Sequence, residues 1–250
     1  MTSELVLYES RDRIALITIN RPEKMNALSN GLVAQLRDAF IRFKISDDQC
    51  AVLTSSGDKA FSVGADIKDP PTDPDLWECM PGVGVIVDKP VIAAVPGYCV
   101  GGAYCLVQFC DLAVAAENAD FFYPEAQLGF CGGLIASTAA RIPHKIAMEL
   151  MLTGKHFDAQ RAYEVGMVNQ VVPVGKQVDV AMDYAKILAN SAPLVVGMIK
   201  RFVRDTVTPK GPSELHALAR AELFTIRNSE DQQEGGAAFR EKRTPIFKGR

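Results

Sequence analysis

An α/β fold with a helical C-terminal segment is predicted by three features of the sequence. Short apolar runs of strand character alternate with helical patterns through the first two thirds of the chain, in a recurring order of strand, strand, helix. From about Ala181 the texture becomes helix only. The uncharged stretch Pro90 to Cys110 is cut by Pro96, Gly97, Gly101 and Gly102, which divides it into a strand, a turn and a buried helix rather than a membrane span.

The elements follow in order. Glu4 to Glu9 and Arg13 to Ile19 alternate apolar and polar residues about a Ser10-Arg11-Asp12 link, the pattern of a hairpin. Ser29 is a candidate N-cap for a helix reaching about Lys44, since Leu32, Leu36, Phe40 and Phe43 recur at helical spacing. A buried strand is expected at Cys50 to Thr54, followed by a Gly-containing loop over 56–66. Residues 68–82, rich in Pro, Asp and Gly, read as a mobile surface loop. Strands are expected at Pro90 to Val95, Asp111 to Ala116 and Asp120 to Tyr123. Helices are expected from Gly101-Gly102 onward and at Lys145 to Leu152. The last four helices span Tyr184 to Asn190, Leu194 to Thr206, Ser213 to Arg227 and Glu230 to Lys242, separated by Pro193, Pro209 and Gly211-Pro212. The recurrence suggests stacked similar turns, with self-similarity too weak to define a repeat.

Composition excludes several classes. The 250 residues are 48% hydrophobic and 23% charged, enough apolar material for a substantial core. A net charge of −3 argues against a nucleic-acid partner, which wants clustered cations. The first ten residues carry Glu4 and Glu9 without a cationic flank, so no secretory signal is read there and a cytoplasmic location is expected. The six cysteines (Cys50, Cys79, Cys99, Cys105, Cys110, Cys131) form no CxxC pair and no spacing with the three histidines that would hold a metal, so they read as reduced, mostly buried thiols. Gly82 and Gly84 give a GxG, but Val87 stands where a dinucleotide fingerprint wants glycine, and no phosphate-loop pattern occurs. No cofactor or metal is expected.

Four segments carry a resemblance. Ala60-Phe61-Ser62-Val63-Gly64-Ala65-Asp66-Ile67-Lys68, then Lys89 to Tyr98 with Gly101-Gly102, then Tyr123-Pro124-Glu125 with Leu128-Gly129, and finally Ala238-Phe239-Arg240-Glu241-Lys242-Arg243, together resemble the hallmarks of the crotonase superfamily in order and spacing. The resemblance covers nearly the whole chain. It implies a spiral of ββα turns forming an acyl-CoA-binding core over 1–185, a helical oligomerisation segment over 186–250, and trimers, often paired into hexamers. Coenzyme A enters as part of the substrate thioester.

The chemistry has a physical reason. A thioester carbonyl becomes an enolate-like oxyanion when the neighbouring carbon loses or gains a proton, and a fixed N–H donor aimed at that oxygen is worth roughly 3 kcal/mol of barrier. Gly64 lets the backbone turn so that the Ala65 N–H points inward. Gly102 opens a helix, where N–H groups lack partners. The resemblance assigns the oxyanion hole to the amides of Ala65 and Gly102, and the catalytic carboxylate to Glu125. Burial against apolar neighbours would raise the pKa of Glu125 toward the range useful for proton transfer.

One position departs from the family pattern. Family hydratases carry two glutamates twenty positions apart, and Cys105 stands where the first would be. Gly132 to Ser137 also differ from the family run. A buried packing thiol is the simplest role for Cys105. A single carboxylate can carry a proton from one carbon to another, so isomerisation is the easiest task; hydration stays open if Tyr104 or Tyr123 positions water. Acyl-CoA decarboxylation or hydrolysis is an alternative, as is a non-catalytic acyl-CoA binder. On the carrier side, Lys242 in the basic tail matches a lysine that approaches the CoA phosphates, and Lys24, Ala27, Asp66 and Ile67 lie in segments resembling the substrate-binding ones.

Overall fold

In the computed structural model, which describes residues 4–72, 75–130 and 132–250, the strands fall into a six-stranded and a four-stranded sheet. Strands β1 (Val6–Arg11) and β2 (Ile14–Ile19) pair antiparallel in the larger one. Their turn is Asp12-Arg13, both with positive φ (53° and 62°), a tight turn whose twist suits a hairpin. The expected link is thereby corrected, because Ser10 and Arg11 remain in β1 opposite Ala15 and Ile14. Helix α1 (Asn30–Ile45) starts where Ser29 Oγ accepts the Leu32 N–H at 3.4 Å, and it buries Leu32, Leu36, Phe40 and Phe43.

From here the chain winds between the sheets. Strand β3 (Cys50–Ser55) lies in the large sheet and β4 (Ala60–Ser62) in the small one. The next turn repeats this with β5 (Val91–Val95), β6 (Tyr98–Val100) and helix α2 (Gly102–Gln108). A third follows with β7 (Leu112–Ala116), β8 (Asp120–Phe122), the single-turn helix α3 (Glu125–Leu128) and α4 (His144–Thr153). The ββα spiral is thus present. Its short strands β4 and β6 were hidden in the sequence, since three residues are too few to show alternation. Strand β9 (Phe157–Asp158), helix α5 (Ala159–Glu164) and β10 (Gln170–Val172) complete the sheets, in the orders β1-β2-β3-β5-β7-β10 and β4-β6-β8-β9.

The inner strands β3, β5 and β7 of the large sheet are buried on both faces, which is why they read as continuous apolar runs. Alternation sorts their side chains. Ile17, Leu53, Ala93 and Ala115 face the main core with Phe40 and Phe61. Ile14, Val52, Ile92 and Val114 face Ala181, Ala185 and Ala189 on helix α6 (Gln177–Ala189). Those alanines, spaced by four, let the helix lie close to the sheet. The division drawn at 185/186 falls inside this helix.

Helices α7 (Pro193–Phe202), α8 (Pro212–Arg227) and α9 (Glu230–Glu241) follow. The expected Leu194 to Thr206 helix ends earlier, passing into a π turn over Val203–Val207. The 68–82 segment is less open than its composition suggests. It contains a 3-10 turn, Leu76–Cys79, with Cys79 and Met80 buried, and Glu78 accepts a hydrogen bond from Arg37 of α1 at 3.0 Å. The cysteines at 50, 79, 99, 105 and 110 are free thiols, the first four buried; Cys131 lies outside the described residues. Among the described residues no helix is long and apolar enough to cross a membrane.

Candidate active site

Strands β4, β6 and β8 are parallel neighbours, with Ala60 opposite Tyr98, and Tyr98 opposite Asp120. Their C-terminal ends therefore deliver Val63-Gly64-Ala65, Gly101-Gly102 and Tyr123-Pro124-Glu125 to one edge, the edge where parallel sheets commonly place their ligands. Segments far apart in the sequence meet there because the strands are in register.

Gly64 joins the first two segments. Its φ is +84°, and a Cβ on it would stand 2.9 Å from the Val100 oxygen and 3.6 Å from the Gly102 nitrogen. The next residue bridges to Leu28: the Leu28 N–H donates to the Gly64 oxygen at 2.8 Å, and the Asp66 N–H donates to the Leu28 oxygen at 2.9 Å. In such a parallel bridge the peptide groups either side of Ala65 serve Leu28, so the N–H of Ala65 itself points to the other side. Gly102 is the first residue of α2, where an N–H has no acceptor within its own helix. The two amides singled out from the sequence thus sit on adjoining loops.

Glu125 comes to Gly101. The residue is 8% exposed, a Cβ on Gly101 would overlap its Oε1, and its buried Oε2 has no hydrogen-bond partner among the described residues. Burial raises its pKa from 4.5 to about 7, against a smaller lowering from a backbone hydrogen bond. A carboxyl near half-ionisation at neutral pH can both give and take a proton.

The other expected residues divide into those near this edge and those away from it. The Cys105 N–H donates to the Gly101 oxygen at 3.2 Å, one turn into α2, and the residue is 5% exposed. Tyr104 is buried edge-on against Phe121 with ring centroids 6.5 Å apart, and burial holds its hydroxyl pKa well above the ordinary value. The Tyr123 hydroxyl accepts the Gly132 N–H at 3.4 Å. Asp66 is tied to Arg21 at 2.5 Å, and Arg21 also donates to the Ala27 oxygen at 3.0 Å. This clamps the 21–28 segment onto the loop after β4 and holds the Asp66 carboxyl below its usual pKa. Arg21, which the sequence reading passed over in favour of Lys24, is the cation that makes this contact. Ala27 is buried, Lys24 is exposed, and Ile67 is 93% exposed. Lys242 closes α9 with φ +54°.

Leu76 is the residue that the sequence did not single out. A Cβ on Gly102 would overlap its Cδ2, with Cγ 3.6 Å from the Cβ position. A side chain added at 102 would first meet Leu76. Cavities of about 820 Å³, between Ile41 and Phe224, and about 490 Å³, between Phe109 and Val196, lie away from these strand ends.

Comparison with known proteins identifies the family. The family model described as enoyl-CoA hydratase/isomerase matches residues 9–250. The (E)-benzylidenesuccinyl-CoA hydratase of Thauera aromatica is 35% identical, with 98% of this chain and 99% of that protein covered. The carnitinyl-CoA dehydratase of Citrobacter koseri is also 35% identical, over 99% and 100%. The crystal structure of carnitinyl-CoA hydratase from Mycobacterium avium superposes with a TM-score of 0.78 at 33% identity, covering all of both chains. The chain belongs to the enoyl-CoA hydratase/isomerase family of the crotonase superfamily.

Proposed function

We infer that this chain is a crotonase-type acyl-CoA enzyme of the hydratase/isomerase class that moves protons with one carboxylate, Glu125, while the N–H groups of Ala65 and Gly102 hold the thioester oxygen. The observation that carries the mechanism is the buried Glu125 carboxyl, pressed on Gly101 at the strand edge with a pKa of about 7. The two amides stabilise the enolate oxygen as the α-carbon loses its proton. Glu125 takes that proton and returns it, to the same carbon or a different one.

Cys105 favours isomerisation over hydration. It is a buried thiol where a second carboxylate would help hold the attacking water, and the hydroxyls of Tyr104 and Tyr123 are engaged elsewhere. Lys242 would meet the CoA phosphates. Exposed Leu194, Val195, Ile199 and Phe202 on α7 and Leu223 and Ile226 on α8 give the helical segment an apolar face suited to a homotrimer or hexamer; sedimentation showing only monomer would remove that assignment.

The test is deuterium wash-in and water addition on one enoyl-CoA. Glu125→Gln should abolish exchange at the α-carbon and leave acyl-CoA affinity largely intact. Cys105→Ala should be mild, and Cys105→Glu should raise hydration relative to isomerisation. Equal damage from Cys105→Ala and Glu125→Gln would overturn the single-carboxylate mechanism.

A further inference from the structure

Gly101 and Gly102 are consecutive, with Cα atoms about 3.8 Å apart, and each has another residue's side chain so near that a Cβ of its own would overlap it. On Gly101 that is the Glu125 carboxylate; on Gly102 it is the isobutyl group of Leu76. The acid and the leucine thus flank one short piece of backbone. An acyl group whose carbonyl oxygen meets the Gly102 N–H has its α-carbon one bond from the carbonyl carbon, which keeps a substituent on that carbon close to the backbone that Leu76 covers. The side chain is partly exposed rather than sealed in the core.

Leu76 is also held in place. Its turn is fixed to α1 by Glu78 and Arg37 at 3.0 Å, with both side chains mostly buried. The Asp75 N–H donates to Glu78 Oε1 at 3.3 Å. Backbone atoms of Trp77 and Glu78 lie directly on Gly84, where a Cβ would overlap them. The Arg220 guanidinium of α8 stands 5.5 Å from the Trp77 ring centroid. With α1, α8 and the 80–85 segment all holding the turn, the backbone that carries Leu76 is fixed beside Gly102. A methyl group added to substrate at this point meets a wall.

We propose that Leu76 is the specificity-determining residue for the acyl group, restricting the site to thioesters that are unbranched at the carbon beside the carbonyl. The proposal rests on the acyl-CoA reading above and goes further by naming the class of acyl group. One methyl more or less in an apolar pocket discriminates by roughly ten- to two-hundred-fold, which sets the expected size of the effect.

The experiment uses the full chain and non-reacting ligands, so that catalysis is not needed. Calorimetric affinities are measured for CoA, butyryl-CoA and 2-methylbutyryl-CoA with the wild-type protein, Leu76→Ala and the milder Leu76→Val, each checked for folding by circular dichroism. The wild type should prefer butyryl-CoA over the branched thioester by at least about ten-fold. That ratio should fall close to one in Leu76→Ala and to an intermediate value in Leu76→Val, with CoA affinity unchanged. An equal ratio in all three proteins, or no preference in the wild type, overturns the role of Leu76 while leaving the acyl-CoA reading intact. If neither thioester binds more tightly than CoA itself, both fall together.

Discussion

The Glu125 carboxylate packs against Gly101 so closely that a side chain there has no room to begin: a Cβ overlaps Oε1 and comes within 3.1 Å of Cδ. The glycine is therefore required twice, once by this contact and once by its own backbone, whose φ of +57° disfavours residues with a side chain.

Gly101→Ala should cost more than Gly129→Ala. Gly129 is an ordinary left-handed residue (φ +71°, ψ 26°) with nothing within 4 Å of its Cβ position, so alanine there carries backbone strain alone, about 1 kcal/mol. Gly101, at ψ −119°, has a backbone that side chains disfavour more strongly. At Gly101 strain and overlap add, and a loss of roughly 2–4 kcal/mol in urea denaturation is expected. Turnover should drop at least about ten-fold in Gly101→Ala, since 1.4 kcal/mol of misplacement already costs that much, and hold in Gly129→Ala. Equal stabilities for the two variants would contradict the contact.

Glu125 makes stability fall as pH rises. Its native pKa is raised from 4.5 to about 7, so below pH 4.5 the acid is neutral in both folded and unfolded chains and carries no penalty. Between those values the unfolded chain ionises first, and above pH 7 the full cost of about 3 kcal/mol is present. Glu125→Gln should be more stable than wild type by up to that amount at pH 8 and nearly equal to it at pH 4. The wild-type rate of α-proton abstraction should rise with pH through about 7. A flat stability difference across this range would mean that the carboxyl is not buried in solution.

Lys242 closes α9 in the left-handed region, at φ +54°. Lys242→Gly should therefore stabilise the fold by a few tenths to about 1 kcal/mol, whereas Lys242→Ala should not. Both should weaken CoA binding at low salt, with the loss shrinking as salt rises. Unchanged CoA affinity in low salt would leave Lys242 with a capping role only.

The hairpin, α1 and the long strands were legible because each repeats a period long enough to see. Strands β4 and β6, with three residues each, were not. Gly64, Gly102 and Glu125 stood out through the family resemblance, because a glycine turn or a carboxylate at the end of an apolar run, taken alone, is more often structural. Arg21 was hidden because its partner Asp66 is 45 residues away. Leu76 was masked by a segment whose proline and aspartate content suggests an open loop. Its importance comes from what it touches, and spacing along the chain carries no sign of that.

The register of β4, β6 and β8 also governs when the candidate edge can exist. Tyr98 pairs with Ala60 on one side and Asp120 on the other, contacts closed across dozens of residues. No local segment, helix or hairpin can assemble this edge by itself, and non-local parallel pairings are slow to form. During refolding, helical signal should return before the capacity to exchange an α-proton. Recovered activity then reports that all three strands have docked, which makes the enzyme its own sensor of completed folding.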